Sequence, residues 1–199
     1  MTRRLDFFFD FTSPFAYFAL DRVEVLAEEY DLDVAWTPVL LWAVRQHFGM
    51  VPPMEDGPKA DYIPADMARS AAFYDVPFRL PDTFGKSTHL AARLFYGLAD
   101  RDRRASYTKA VFRAHFSDNA DIADPETLAG IAASCGIGTD EAKSLATADS
   151  SKEALAASVQ HAIDRKVWGS PFFILDNECF FGVDRLPQIE WRLKVGRSQ

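Results

Sequence analysis

The chain has 199 residues, 48% hydrophobic and 14% aromatic, enough to bury a substantial core in one domain or one domain carrying an insertion, so disorder is not expected. Its formal charge is −7 and its lysines and arginines are scattered, which argues against a nucleic-acid or anionic-membrane partner, because either needs a concentrated basic face. No stretch approaches the roughly 20 uninterrupted apolar residues of a membrane-crossing helix. Asp6, Asp10 and Asp21 also break the apolar run that export would require after Arg3 and Arg4, so a cytoplasmic location is expected.

In chain order, Leu5 to Asp10 reads as a buried aromatic-rich strand. A Thr-Ser-Pro break follows, then apolar residues at helical spacing: Phe15, Phe18, Ala19, Val23, Leu26 and Ala27. Asp33 to Val39 reads as a second strand, so the first 40 residues predict a β-α-β unit with parallel strands. From 41 to 158 the character is helical, broken by the Pro-rich loop Val51 to Pro58, by Pro77 and Pro81, and by the helix start Asp124-Pro125. Two apolar runs then flank Asp176-Asn177, the chemistry of a tight hairpin turn, and a closing helix is expected from Pro187 to about Lys194. The order is that of a thioredoxin-like α/β fold, residues 1–40 and 159–199, interrupted by an all-helical insertion, residues 41–158. Phe7, Phe8, Phe9, Phe172, Phe173, Phe180 and Phe181 are expected in the sheet core.

The two cysteines, Cys135 and Cys179, form neither a CxxC nor a metal-ligand spacing and read as small buried apolar residues. The histidines 47, 89, 115 and 161 are likewise isolated, so no metal is expected.

Three segments can carry chemistry at the C-terminal ends of the strands. Ser13 before Pro14 is a good N-cap with proline in the first helical turn. Its hydroxyl at a helix start could equally steady a thiolate, and with no cysteine at Thr12-Ser13-Pro14-Phe15 that sulfur has to come from a bound molecule. In Gly169-Ser170-Pro171 a proline opens a strand: either an ordinary trans proline, or a cis proline that turns the Ser170 peptide outward to pair with an extended ligand. In Gly182-Val183-Asp184-Arg185, Asp184 either caps the last helix or takes an ammonium while nearby N–H groups take a carboxylate.

The residues Phe9 to Tyr17, Gly169-Ser170-Pro171 and Phe181 to Leu186 together resemble the 2-hydroxychromene-2-carboxylate isomerase family, related to kappa-class glutathione transferases. Lys59 to Tyr62, Asp66 to Arg69, Val76 to Arg79 and Asp121 to Asp124 extend the likeness along the chain. The resemblance implies a DsbA-like fold, a homodimer, and glutathione seated on Ser13, Pro14, Phe15, Ser170, Pro171, Val183 and Asp184, with Ser13 catalytic. It implies glutathione-dependent isomerisation of 2-hydroxychromene-2-carboxylate, or a kappa-class-like transferase; a peptide-binding module that has lost its redox cysteines is the non-catalytic alternative. An aromatic carboxylate substrate needs an apolar wall and a cation, with Lys59 the first candidate and Arg45 and Arg69 behind it. The chain departs from the family pattern where Met50, at a substrate-pocket position, replaces an asparagine before Val51-Pro52-Pro53, where Ser87 replaces another, and where Phe116 replaces a tryptophan.

Overall fold

The structure is a computed structural model that describes residues 2–51 and 57–196; Pro52, Pro53 and the rest of that loop up to residue 56 lie outside the described residues. Strand β1 (Arg3–Phe9) lies at the centre of the sheet, parallel to β2 (Leu32–Pro38) and antiparallel to β3 (Phe172–Leu175), which pairs antiparallel with the edge strand β4 (Glu178–Phe181). Side chains alternate faces along a strand. Leu5, Phe7 and Phe9 therefore enter the larger core while Phe8 enters the smaller one with Phe172 and Ile174, and both faces need apolar cover. That is why Phe7, Phe8 and Phe9 are apolar in succession rather than alternating with polar residues. The turn between β3 and β4 places Asp176 (φ 49°) and Asn177 (φ 66°) in the left-handed region that a two-residue hairpin of this twist requires.

The expected first helix is divided. After α1 (Pro14–Tyr17) the backbone turns at Phe18 and Ala19, where Ala19 N–H reaches back to Ala16 O at 3.1 Å, before α2 (Leu20–Tyr30). The helices between β2 and β3 are α3 (Leu41–His47), α4 (Pro58–Tyr74), α5 (His89–Gly97), α6 (Arg101–Phe116), α7 (Pro125–Ser134), α8 (Thr139–Thr147) and α9 (Asp149–Asp164). α10 (Leu186–Gly196) closes the chain. Helix α9 runs through residue 158, and its Ala162 packs with Phe8 and Val44 on the small-core face of the sheet. On the other face an aromatic cluster joins the sheet to the helical segment: Phe112 of α6 lies 5.6 Å from Phe9 and 5.1 Å from Phe11 between ring centroids.

Two composition-based expectations fail at the sheet edge. Phe181 is 40% exposed, unlike the other six phenylalanines expected in the core, and Cys179 is exposed rather than buried. Both belong to β4, whose outer side has no neighbouring strand among the described residues, so alternation alone could not bury them.

His115 of α6 is buried, and because a carbonyl can only accept, its Nδ1–H donates to Ala120 O at 3.1 Å. Burial, the largest influence, holds its pKa below the usual 6.5. The folded state thus binds this proton less readily than the unfolded chain, and the stability it contributes is full above 6.5 and falls as pH drops below that value. Thermal melts across this range should show a steeper acid-side decline in wild type than in His115→Gln; equal slopes would remove His115 as a contributor.

Candidate functional site

Ser13 caps α1: its backbone is extended (φ −94°, ψ 109°), its Oγ accepts from Ala16 N–H at 3.3 Å, and Pro14 occupies the first turn. The same hydroxyl donates to Ser170 O at 2.8 Å, both residues being buried. The two segments that sequence reasoning singled out separately are thus in direct contact, and the Ser170-Pro171 peptide bond is cis. Because α1 has only four residues, electrostatic help for an anion at Ser13 comes from local donors rather than from a long aligned helix.

The third segment is tied to the second, since Gly182 N–H donates to Pro171 O at 3.0 Å. Gly182 has φ 105°, a conformation glycine adopts readily, and a Cβ there would collide with Asp184 Oδ1. Val183 to Arg185 then form one 3-10 turn with Val183 buried. Asp184 does not act as a helix cap: its carboxylate is exposed and lies 3.2 Å from the Arg185 guanidinium, available to a solvent-borne cation.

Of the cations proposed for the substrate, Arg45 is brought against the Ser170 segment. It is half-buried on α3, with Nε 3.5 Å from Trp168 O. Burial lowers its pKa while the Asp10 charge opposes that shift. Arg69 instead turns along its own helix to Asp66 (2.8 Å) and sits over the Tyr62 ring (5.6 Å). Lys59 is exposed in the first turn of α4, and Met50 is exposed beside the loop outside the described residues. Ser87 lies just before α5 with Oγ 3.0 Å from His89 Nδ1, whereas Phe116 is fully buried against Tyr17 and Phe112 and belongs to the core.

An aromatic pair also flanks the site. The Trp168 and Phe181 rings lie 4.2 Å apart and Phe181 covers Gly169, where any Cβ would strike its ring. This explains both the glycine and the exposure of Phe181, and the sequence signal available was an aromatic residue on either side of Gly169-Ser170-Pro171.

The residue that sequence reasoning missed is Asp10. It is 2% exposed at the end of β1 and its carboxylate accepts four hydrogen bonds: Oδ1 from Thr12 N–H (2.8 Å), Thr12 O–H (2.9 Å) and Thr88 O–H (3.2 Å), and Oδ2 from Leu41 N–H (2.7 Å). Its own N–H donates to Ser170 Oγ (3.0 Å) and its carbonyl accepts from Ser13 N–H (2.9 Å). The available signal was an acid closing an otherwise apolar strand, since a buried charge demands such a set of partners.

The fold and this site define a thioredoxin-like protein in which the turn after β1 holds serine and no cysteine. A family model described as a DSBA-like thioredoxin domain matches residues 4–194. The 2-hydroxychromene-2-carboxylate isomerase of Pseudomonas sp. (strain C18) is 30% identical over 190 residues, covering 94% of this chain and 88% of that protein. A solved structure of 2-hydroxychromene-2-carboxylate isomerase superposes with TM-score 0.87 at 28% identity, covering 98% of this chain and 95% of the other. Glutathione S-transferase kappa 1 of Caenorhabditis elegans is 23% identical over 196 residues, covering 92% of this chain and 87% of that protein. The chain belongs to the 2-hydroxychromene-2-carboxylate isomerase family of DsbA-like thioredoxin domains.

Proposed function

We propose that this protein is a glutathione-dependent isomerase interconverting 2-hydroxychromene-2-carboxylate and trans-o-hydroxybenzylidenepyruvate, or a related aromatic carboxylate. The observation that carries this reading is the contact between Ser13 Oγ and Ser170 O, which sets a hydroxyl donor beside a peptide acceptor where the chain has no sulfur of its own. Those groups fit a small peptide thiol: the Ser170 carbonyl can take its amide N–H, Asp184 can take its ammonium, and Ser13 can donate to its sulfur. Bound glutathione supplies a thiolate that adds reversibly to a conjugated carbon, allows rotation about the former double bond, and leaves unchanged. Ser13 holds that sulfur in its anionic form by hydrogen bonding, which favours the thiolate over the thiol. Arg45 holds the substrate carboxylate, and Trp168 with Phe181 forms the apolar wall against which a planar ring can lie. In this reading the protein works as a cytoplasmic homodimer, as the family likeness implies; among the described residues no helix is long and apolar enough to cross a membrane.

Calorimetric titration with reduced glutathione tests the reading. Wild type should bind saturably, and Asp184→Ala should weaken binding by about tenfold, the loss of one charge-assisted contact. Recovery of glutathione after substrate turnover identifies an isomerase, and its consumption a kappa-class-like transferase. No binding at millimolar-range glutathione would overturn both.

A further inference from the structure

We propose that Asp10 is a positioning residue for the second substrate, holding Arg45 in register with the thiol seat. The inference rests on the glutathione reading of Ser13 and Ser170 and adds a division of labour within one residue. The main chain of Asp10 holds the thiol side: its carbonyl accepts from Ser13 N–H and its N–H donates to Ser170 Oγ. The side chain holds the opposite wall: Oδ2 takes Leu41 N–H at the first residue of α3, one helical turn before Arg45, and Oδ1 takes the Thr88 hydroxyl at the N-cap of α5. Arg45 lies close enough for the Asp10 charge to act on it.

A carboxylate is required here, for a specific reason. Two backbone donors, Thr12 N–H and Leu41 N–H, approach different oxygens of the same group. Asparagine has one acceptor oxygen and an NH2 in place of the other, so one of these N–H groups would face a second donor. The Thr88 hydroxyl can reverse its role and accept, but a backbone N–H cannot. Asp10→Asn therefore leaves the main-chain contacts to Ser13 and Ser170 intact and loosens the attachment of Asp10 to Leu41 or to its own turn.

The test uses wild type, Asp10→Asn, Arg45→Gln and the double variant. Calorimetry gives the affinity for glutathione and, at saturating glutathione, for chromone-2-carboxylate, an unreactive planar aromatic carboxylate; thermal melts report folding. In Asp10→Asn, glutathione affinity should stay within about threefold while chromone-2-carboxylate weakens by about tenfold or more. The double variant should bind chromone-2-carboxylate no more weakly than Arg45→Gln alone, because Asp10 acts through Arg45. Parallel weakening of both ligands, unchanged binding of both, or additive effects of the two substitutions would each overturn the proposal. Failure of wild type to bind glutathione would instead remove the functional reading on which it rests. Should Asp10→Asn not fold, Leu41→Pro deletes the same N–H from the other partner at a first-turn position that admits proline, and the same comparison applies.

Discussion

Ser13→Ala is expected to reduce turnover by about 100-fold to 1,000-fold, the cost of removing one donor aimed at an anionic centre in a water-poor site. The Ser13 hydroxyl is buried, donates at 2.8 Å to Ser170 O and accepts from Ala16 N–H at 3.3 Å, so the protein fixes its position. A serine hydroxyl carries one proton, and here that proton points at the Ser170 carbonyl. A thiolate must draw it away, and an amide N–H arriving at the same carbonyl makes that turn easier by sharing the acceptor. S-methylglutathione has no ionisable sulfur, so its affinity should be nearly equal in wild type and Ser13→Ala. The ultraviolet absorbance of bound thiolate, by contrast, should appear at lower pH in wild type than in the variant. Loss of the N-cap contact to Ala16 N–H will also cost about 1 kcal/mol of stability. Melting therefore has to be measured alongside. Turnover falling less than about threefold in folded Ser13→Ala would exclude the hydroxyl as the group that activates sulfur.

Phe112→Ala should cost about 3–5 kcal/mol of stability, as for other fully buried aromatic truncations. The ring is wholly buried, with Phe9 and Phe11 from the end of β1, Tyr17 from α1 and Phe116 from its own helix around it, at centroid distances from 5.1 to 6.3 Å. It is thus a direct link between the sheet and the helical segment. For a chain of this length the loss corresponds to a drop in melting midpoint of roughly 6–20 °C. The shape of the transition matters as much as its midpoint. Trp36 packs at 5.2 Å from Phe7 in the sheet, so with Trp42, Trp168 and Trp191 replaced by phenylalanine in both proteins its fluorescence follows the strands, while far-ultraviolet circular dichroism follows mainly the helices. Coincident transitions in Phe112→Ala would establish one cooperative unit; an earlier helical transition would mean that residues 41–158 can unfold as a separate domain.

Much of the fold was legible because its signals are local. The Ser13-Pro14 cap, the Asp124 cap and the Asp176-Asn177 turn each depend on dihedral and hydrogen-bond chemistry spanning only a few residues. The break between α1 and α2 was not legible, since Phe18 and Ala19 fit the helical apolar spacing on either side of it. Edge position was also hidden: Phe180 and Phe181 are the same residue type one position apart, one facing the large core and the other lying over Gly169 beside Trp168.

By itself the sequence determined the β-α-β start, the closing hairpin and helix, and the three segments around Ser13, Ser170 and Asp184, because short-range sterics and capping leave few alternatives for such residues. Only the tertiary structure decided that Ser13 meets Ser170, that Arg45 rather than Arg69 lies against this segment, and that Asp10 joins them. Thr12 and Ser13 are local partners of Asp10, but Leu41, Thr88 and Ser170 lie 31, 78 and 160 positions away, and those distant contacts, which join it to the rest of the site, leave no local pattern in the chain.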